Sequence, residues 1–227
     1  MAFKGFPNET LKFLIDLRTN NSKKWFDANR QSYDQYYVGA AKAFVEAAAP
    51  RLQKLSAGIS AEPRINGSIF RINRDVRFGK DKRPYKDHLD FAFWEGDRKS
   101  AGSSLFLRIS PDGVILGTGF HQGCPQRLKL FREAVAEQKS GKQLASVTAN
   151  LRKKGLQLHG QHYKRIPRGF SEDGPAAEFL LHDSLYVMRE EDVQTACETN
   201  FLSTCVRHWR GWMPLHRWLS DNVRKTP

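Results

Sequence analysis

The chain has 227 residues, enough for one large domain or two small ones, and its 40% apolar content, with 15 Phe and 5 Trp, can fill a substantial core. That composition excludes a disordered chain, and no apolar run approaches the roughly 20 residues that cross a bilayer. Lys and Arg number 37 against 24 Asp and Glu, a formal net charge of +13, which favours anionic partners such as phosphates, carboxylates or nucleic acid.

Asn8 precedes ETLKFLIDL, where Leu11, Leu14, Ile15 and Arg18 fall on one helical stripe, and Asn8 is the expected N-cap. Asn20, Asn21 and Ser22 break this helix, and Ser22 can cap a second one that carries Trp25, Phe26 and Asn29. The Ala-rich run from Ala40 to Leu55 predicts a strong helix, which Pro50 should kink or restart. Ser56 to Arg64 reads as a loop, Ser68 to Ile72 is β-prone and alternating, and Arg74 to Lys86, dense in charge and carrying Pro84, reads as an ordered loop. Strands are expected over Leu89 to Trp94, Ser104 to Ser110 and Gly113 to Phe120. Ser110-Pro111-Asp112-Gly113 is a turn signal, since Pro presets φ and Gly tolerates positive φ. Further on, helices are expected over Pro125 to Lys139 and Gly141 to Lys154, then a short strand from Leu156 to Tyr163 and a short helix from Pro175 to Leu181. A strand from Ser184 to Arg189 precedes helices over Glu191 to Trp209 and Pro214 to Val223. Strands cluster in the middle and helices flank them. The expected fold class is therefore α+β, a central antiparallel meander sheet with N-terminal and C-terminal helices. Without repeats, low-complexity tracts or a linker, residues 1–227 read as a single domain.

Cys124, Cys197 and Cys205 form no CxxC pair and are odd in number, which argues for free thiols rather than a disulfide framework or a structural zinc site. The N-terminal MAFKGFPNETLKF has no apolar core of signal-peptide type. A cytoplasmic protein without a membrane partner is the expectation.

The excess charge is focused. Arg71 to Lys86 holds seven basic residues and two acids, whereas Leu151 to Pro227 holds 12 basic and nine acidic residues. Ile69, Phe70, Ile72, Val76 and Phe78 interleave with the charge and would anchor the segment. Arg71, Arg74 and Arg77 recur at intervals of three. Their planar guanidinium forks suit carboxylate or phosphate, so with Lys82 they are candidate ligand-binding residues. Asp75 and Asp81 can each orient an arginine, or act as an acid or base whose pKa the surrounding cations lower. Tyr85 offers a hydroxyl donor near Lys80 or Lys82, and His88 is the side chain that titrates near neutrality. Asp75, Asp81, Tyr85 and His88 are accordingly the candidate catalytic residues. The competing explanation is an ion-pair network that ties a loop to the sheet.

The run RINRDVRFGKDKRPY resembles the signature of a widespread, uncharacterised bacterial family, domain of unknown function 2461: an Arg, then Arg-Asp, Arg-Phe, Asp-Lys and a Tyr at fixed spacing. Arg71, Arg74, Asp75, Arg77, Phe78, Asp81, Lys82 and Tyr85 supply it here. FLIDLRTNNSKKWFDANR, YKRIPRGFSEDGPAAEFL and PLHRWL are also similar to that family, so the resemblance spans nearly the whole chain. It implies a one-domain protein and a site at these residues. It implies no activity, substrate or cofactor.

Two other segments could complete a site. Trp25, Asn29 and Arg30 share a helical face, where Trp25 could stack on a ring and Asn29 could hydrogen-bond a ligand, although Trp25 and Phe26 suit a core as well. Lys164, Arg165 and Arg168 form a second basic group, from which Arg165 joins the ligand-binding candidates. Other signals are discounted. His159 and His162 lack a third metal ligand. Gly79-Lys80 lacks the glycine spacing of a phosphate-binding loop. Ser103, Ser104 and Ser184 lack the nucleophile elbow. Gly117 and Gly119 read as a bulge or a close backbone approach, and Trp209, Trp212 and Trp218 as packing residues.

The leading expectation is a small anionic ligand in an arginine-rich pocket, with acid/base catalysis as an extension. The alternatives are a nucleic-acid-binding module, motivated by the pI of about 9.8 and by Phe78, Tyr85 and Trp94 near the basic stretch, and a purely structural charge network. No metal and no cofactor is assigned, and the oligomeric state is left open.

Overall fold

The computed structural model describes residues 3–77, 79–96, 102–121 and 125–223. Phe78 and Cys124, both singled out above, lie outside the described residues. The first helix, α1 (Asn8–Thr19), begins at Asn8 itself. Pro7, with φ −59° and ψ 146°, holds the cap position without a side-chain hydrogen bond. The expected Asn8 cap is thus displaced by one residue, because proline's fixed φ leads into the helix and its missing N–H leaves no donor to satisfy. Thr10, Leu11, Phe13, Leu14 and Leu17 form the buried face. It is rotated away from Ile15, which is 51% exposed despite its place in the apolar stripe.

Ser22 caps α2 (Lys23–Ala28) as expected, its side chain accepting the Trp25 N–H. A single turn, α3 (Arg30–Ser32), then leads through a π-helical stretch, Tyr33–Gly39, into α4 (Ala40–Gln53). Pro50 lies inside α4, and no restart occurs there. Pro50 and Glu46, the residue whose carbonyl loses its donor, are both exposed, so water can replace the missing N–H.

The sheet has the order β1-β2-β3-β4-β6-β5, with β1 (Ile59–Ser60), β2 (Leu89–Glu95), β3 (Ser104–Ser110), β4 (Gly113–Phe120), β5 (Leu158–Gln161) and β6 (His182–Glu191). It is antiparallel, and β2, β3 and β4 form the expected meander. Ser68 to Ile72 does not become a regular strand. It runs irregularly beside β2 instead: Phe70 N–H donates to the Asp90 carbonyl at 3.0 Å, and Ala92 N–H to the Ser68 carbonyl at 3.0 Å. Farther out, Lys86 N–H donates to Ile72 at 2.8 Å and Arg74 N–H to Pro84 at 2.9 Å. The charged stretch is therefore the tip and base of an irregular hairpin.

The later helices are α5 (Pro125–Ala136), α6 (Gln138–Lys153) and α7 (Phe201–Val223), with 3-10 turns over Ala177–Leu181 and Val193–Cys197. The helix expected over Glu191 to Trp209 is corrected. Glu191 ends β6, and the Asp192 side chain accepts the Gln194 N–H at 2.8 Å to start the 3-10 turn. Helix α7 begins only at Phe201 and continues through Pro214. Here too, Pro214 and Arg210 are both exposed.

The chain divides into two compact units that interleave in sequence: Met1–Phe93, Phe106–Leu116 and Glu190–Arg207 make the first, and Trp94–Leu105, Gly117–Arg189 and His208–Pro227 the second. The first unit is built on aromatic rings. Phe44 packs against Phe6, Phe91 and Phe201 with centroids 5.4, 5.1 and 6.0 Å apart. The second packs Phe131 against Phe120 at 5.1 Å and edge-on against Trp218 at 6.2 Å. Trp209, Trp212 and Trp218 are buried, as expected of packing residues. Gly117 and Gly119 mark a close backbone approach, since a Cβ at either would meet the Val187 or Leu185 carbonyl oxygen, at 2.9 and 2.2 Å. No helix among the described residues is long and apolar enough to cross a membrane.

Candidate functional site

The base of the hairpin is pinned before any charge is counted. Asn21 grips the backbone of Tyr85 from both sides: its side-chain amide donates to the Tyr85 carbonyl and accepts the Tyr85 N–H, each at 3.0 Å. The Tyr85 ring is buried and stacks on Phe26, with centroids 4.2 Å apart and planes 16° apart. Phe26 packs in turn on Tyr33 at 4.9 Å. Three residues on, the Tyr37 hydroxyl donates to the His88 carbonyl at 3.2 Å. Side chains from Tyr85 to His88 therefore leave a backbone that Asn21, α2 and the π-helical stretch hold in place.

Two layers of charge surround this base. In the lower one, Asp90 is almost fully buried and takes a bidentate pair from Arg108 at 2.7 and 2.9 Å. His88 lies between carboxylates, Nδ1 3.3 Å from Asp87 and Nε2 3.3 Å from Asp90. Burial opposes ionisation of Asp90, but hydrogen bonds with His88 and Arg108 outweigh it and bring its pKa to about 2. Asp87 is held below the usual carboxylate range in the same way: burial works against ionisation, and Arg18, 2.7 Å away, and His88 overcome it. Arg18 also pairs with Asp112 at 2.7 Å.

The upper layer is local. Asp81 accepts from Arg74 at 2.5 Å and from Arg83 at 2.7 Å. Arg83 first, and then Arg74, hold its pKa far down. Asp75 is paired with Arg77 at 2.7 Å and lowered by it. The Lys82 ammonium donates to the Val76 carbonyl at 2.9 Å. Both acids are committed to guanidinium groups, so they orient arginines and are poor proton carriers at neutral pH.

Arg74, Arg83, Tyr85, Lys86, Asp87 and His88 line an open pocket of about 240 Å³. Three of these are cations, and Lys86 stands out. It is half-buried, and its ammonium lies 5.5 Å from the Phe70 ring centroid. Among the described residues it makes no ion pair. Burial lowers its pKa, Asp90 opposes the shift, and Arg108 and Arg71 add to it.

Of the residues expected from the sequence, Arg74, Tyr85 and His88 share this pocket, and Asp81 braces it from the side. Arg71, Asp75, Arg77 and Lys82 are exposed and do not line it. The expected clamp of Arg71, Arg74 and Arg77 does not form one lining. An interval of three residues points successive side chains of an extended chain to opposite sides. Both His88 ring nitrogens face carboxylates, so His88 serves as a buttress. Trp25 packs on Phe13 at 5.7 Å, and the Asn29 amide donates to the Trp25 carbonyl at 2.8 Å; neither lines the pocket. Arg165 belongs to the second unit, and the pocket is lined from the first. Sequence reasoning missed Arg83, Lys86, Asp87 and Asp90 as site residues, and Asn21, Arg18 and Arg108 as their supports. One signal was available: an aspartate inside the apolar strand LDFAFW needs a partner.

The chain belongs to the family described as "Conserved hypothetical protein (DUF2461)", whose model matches residues 9–218. The pocket and its supports lie within that span. No curated protein and no solved structure matches the chain.

Proposed function

We propose that the protein binds a small phosphate- or carboxylate-bearing ligand in the pocket of Arg74, Arg83 and Lys86. The observation that carries this reading is Lys86. A half-buried ammonium without a carboxylate partner is costly; the carboxylate of the lining, Asp87, is already committed to Arg18 and His88, and Asp90 is committed to Arg108 and His88. An anion seated there would supply the missing counter-charge. Asp81 keeps the Arg74 and Arg83 forks oriented, and both retain N–H groups for bidentate contact. Acid/base chemistry is a further part of the proposal, with Tyr85 and Lys86 of the lining as its proton-bearing residues. A cytoplasmic setting accompanies it, in keeping with the free thiols Cys197 and Cys205.

A thermal-shift titration with inorganic phosphate and small carboxylates at low ionic strength tests this reading. A saturable rise in melting temperature that disappears in Lys86→Met is expected, and no rise in the wild-type protein overturns it. The nucleic-acid alternative draws on the net charge and on exposed Arg71 at the base and Lys80, Lys82 and Arg83 toward the tip. It requires single-strand binding that weakens steeply with salt, and absence of binding at low salt removes it. The purely structural alternative draws on the many internal pairs, and it requires that Arg74→Ala lower the melting temperature while no anion has any effect.

A further inference from the structure

We infer that Lys86 is an amine nucleophile, and that the anion held by Arg74 and Arg83 is the carboxylate or phosphate of a small aldehyde or ketone whose carbonyl carbon Lys86 attacks. The inference rests on the anion reading of the pocket and goes beyond it to a substrate class. Lys86 is half-buried in a lining with two guanidinium groups, and its aromatic neighbour Phe70, at 5.5 Å, is a weaker stabiliser of an ammonium than a carboxylate would be. Burial, with Arg108 and Arg71, favours the neutral amine, and Asp90 only partly opposes this. Desolvation beside other cations is how lysines become nucleophilic near neutral pH.

The chemistry balances in atoms and charge. The Nζ lone pair forms a bond to the carbonyl carbon, the carbonyl π pair moves to oxygen, and a proton passes from the now cationic nitrogen to that oxygen, which restores the nitrogen lone pair. The resulting carbinolamine gains a second proton on that oxygen and expels water, while the nitrogen lone pair forms the C=N bond of an iminium ion. Tyr85 lines the same pocket, and solvent supplies the second proton. The arginines hold the substrate's anionic end, so an uncharged carbonyl compound lacks that anchorage.

The test uses the intact protein with glyoxylate and sodium cyanoborohydride, followed by proteolysis and mass mapping. The expected product is a carboxymethyl group on Lys86, formed about tenfold faster than on any other lysine, slowed by inorganic phosphate and absent at this position in Lys86→Arg. Arg83→Ala is expected to slow labelling of Lys86 by glyoxylate but not by acetaldehyde. If phosphate raises the melting temperature yet Lys86 labels no faster than the other lysines, the nucleophile inference is overturned and the anion site stands. If phosphate changes neither melting temperature nor labelling, and acetaldehyde labels Lys86 as readily as glyoxylate does, the anion site and the substrate class fall together.

Discussion

The tip and the base of one hairpin carry similar charge and use it in opposite ways. At the tip, Asp75–Arg77 and Asp81–Arg83 pair residues two apart, with side chains 43 and 74% exposed in the first pair and 38 and 50% in the second. At the base, Asp87 pairs with Arg18 from α1, and Asp90, whose side chain is 7% exposed, pairs with Arg108 from β3. Exposed local pairs are screened and contribute little to stability. Breaking a buried pair strands a charge and costs far more. Density of charge in a sequence thus says little about its energetic role; the partner's distance along the chain and the water around it decide that.

The sharpest way to break the comparison is Arg108→Ala. It leaves Asp90 buried without its guanidinium and should cost about 3 kcal/mol in urea unfolding; a cost near zero would place the base in the same class as the tip. Acid comes next. Asp90 has a folded-state pKa of about 2, below its ordinary value of 3.8. Its contribution of about 2 kcal/mol is present above pH 4 and lost as pH falls through 2. Unfolding measured from pH 5 to pH 2 should show this loss, and Asp90→Asn should flatten the profile in that window. Asn21→Ala removes both hydrogen bonds to Tyr85 and should cost about 1 kcal/mol, measured in the same way. Asp75→Ala, at the exposed tip, should leave the melting temperature unchanged within error.

The meander was legible because its alternation is local: Leu105, Leu107 and Ile109 are buried, and Phe106 and Arg108 are less so. Helix α7 was not, because the breaker rule for Pro214 ignores whether the orphaned carbonyl meets water. The region of the site was legible from charge, interleaved apolar residues and the family motif. Its composition was not. Spacing drew attention to Arg71 and Arg77, whereas the hairpin's pairing turns Arg74, Arg83 and Lys86 toward one pocket. The supports Arg18, Asn21 and Arg108 are distant in sequence, and only the fold reveals them.

Calorimetric titration with inorganic phosphate at low ionic strength, on wild type, Lys86→Met and Asp75→Ala side by side, tests the central claim most directly. One saturable site in wild type and Asp75→Ala, lost in Lys86→Met with its fold intact, is the result the anion pocket predicts. Equal binding in Lys86→Met, or none in the wild-type protein, would contradict it.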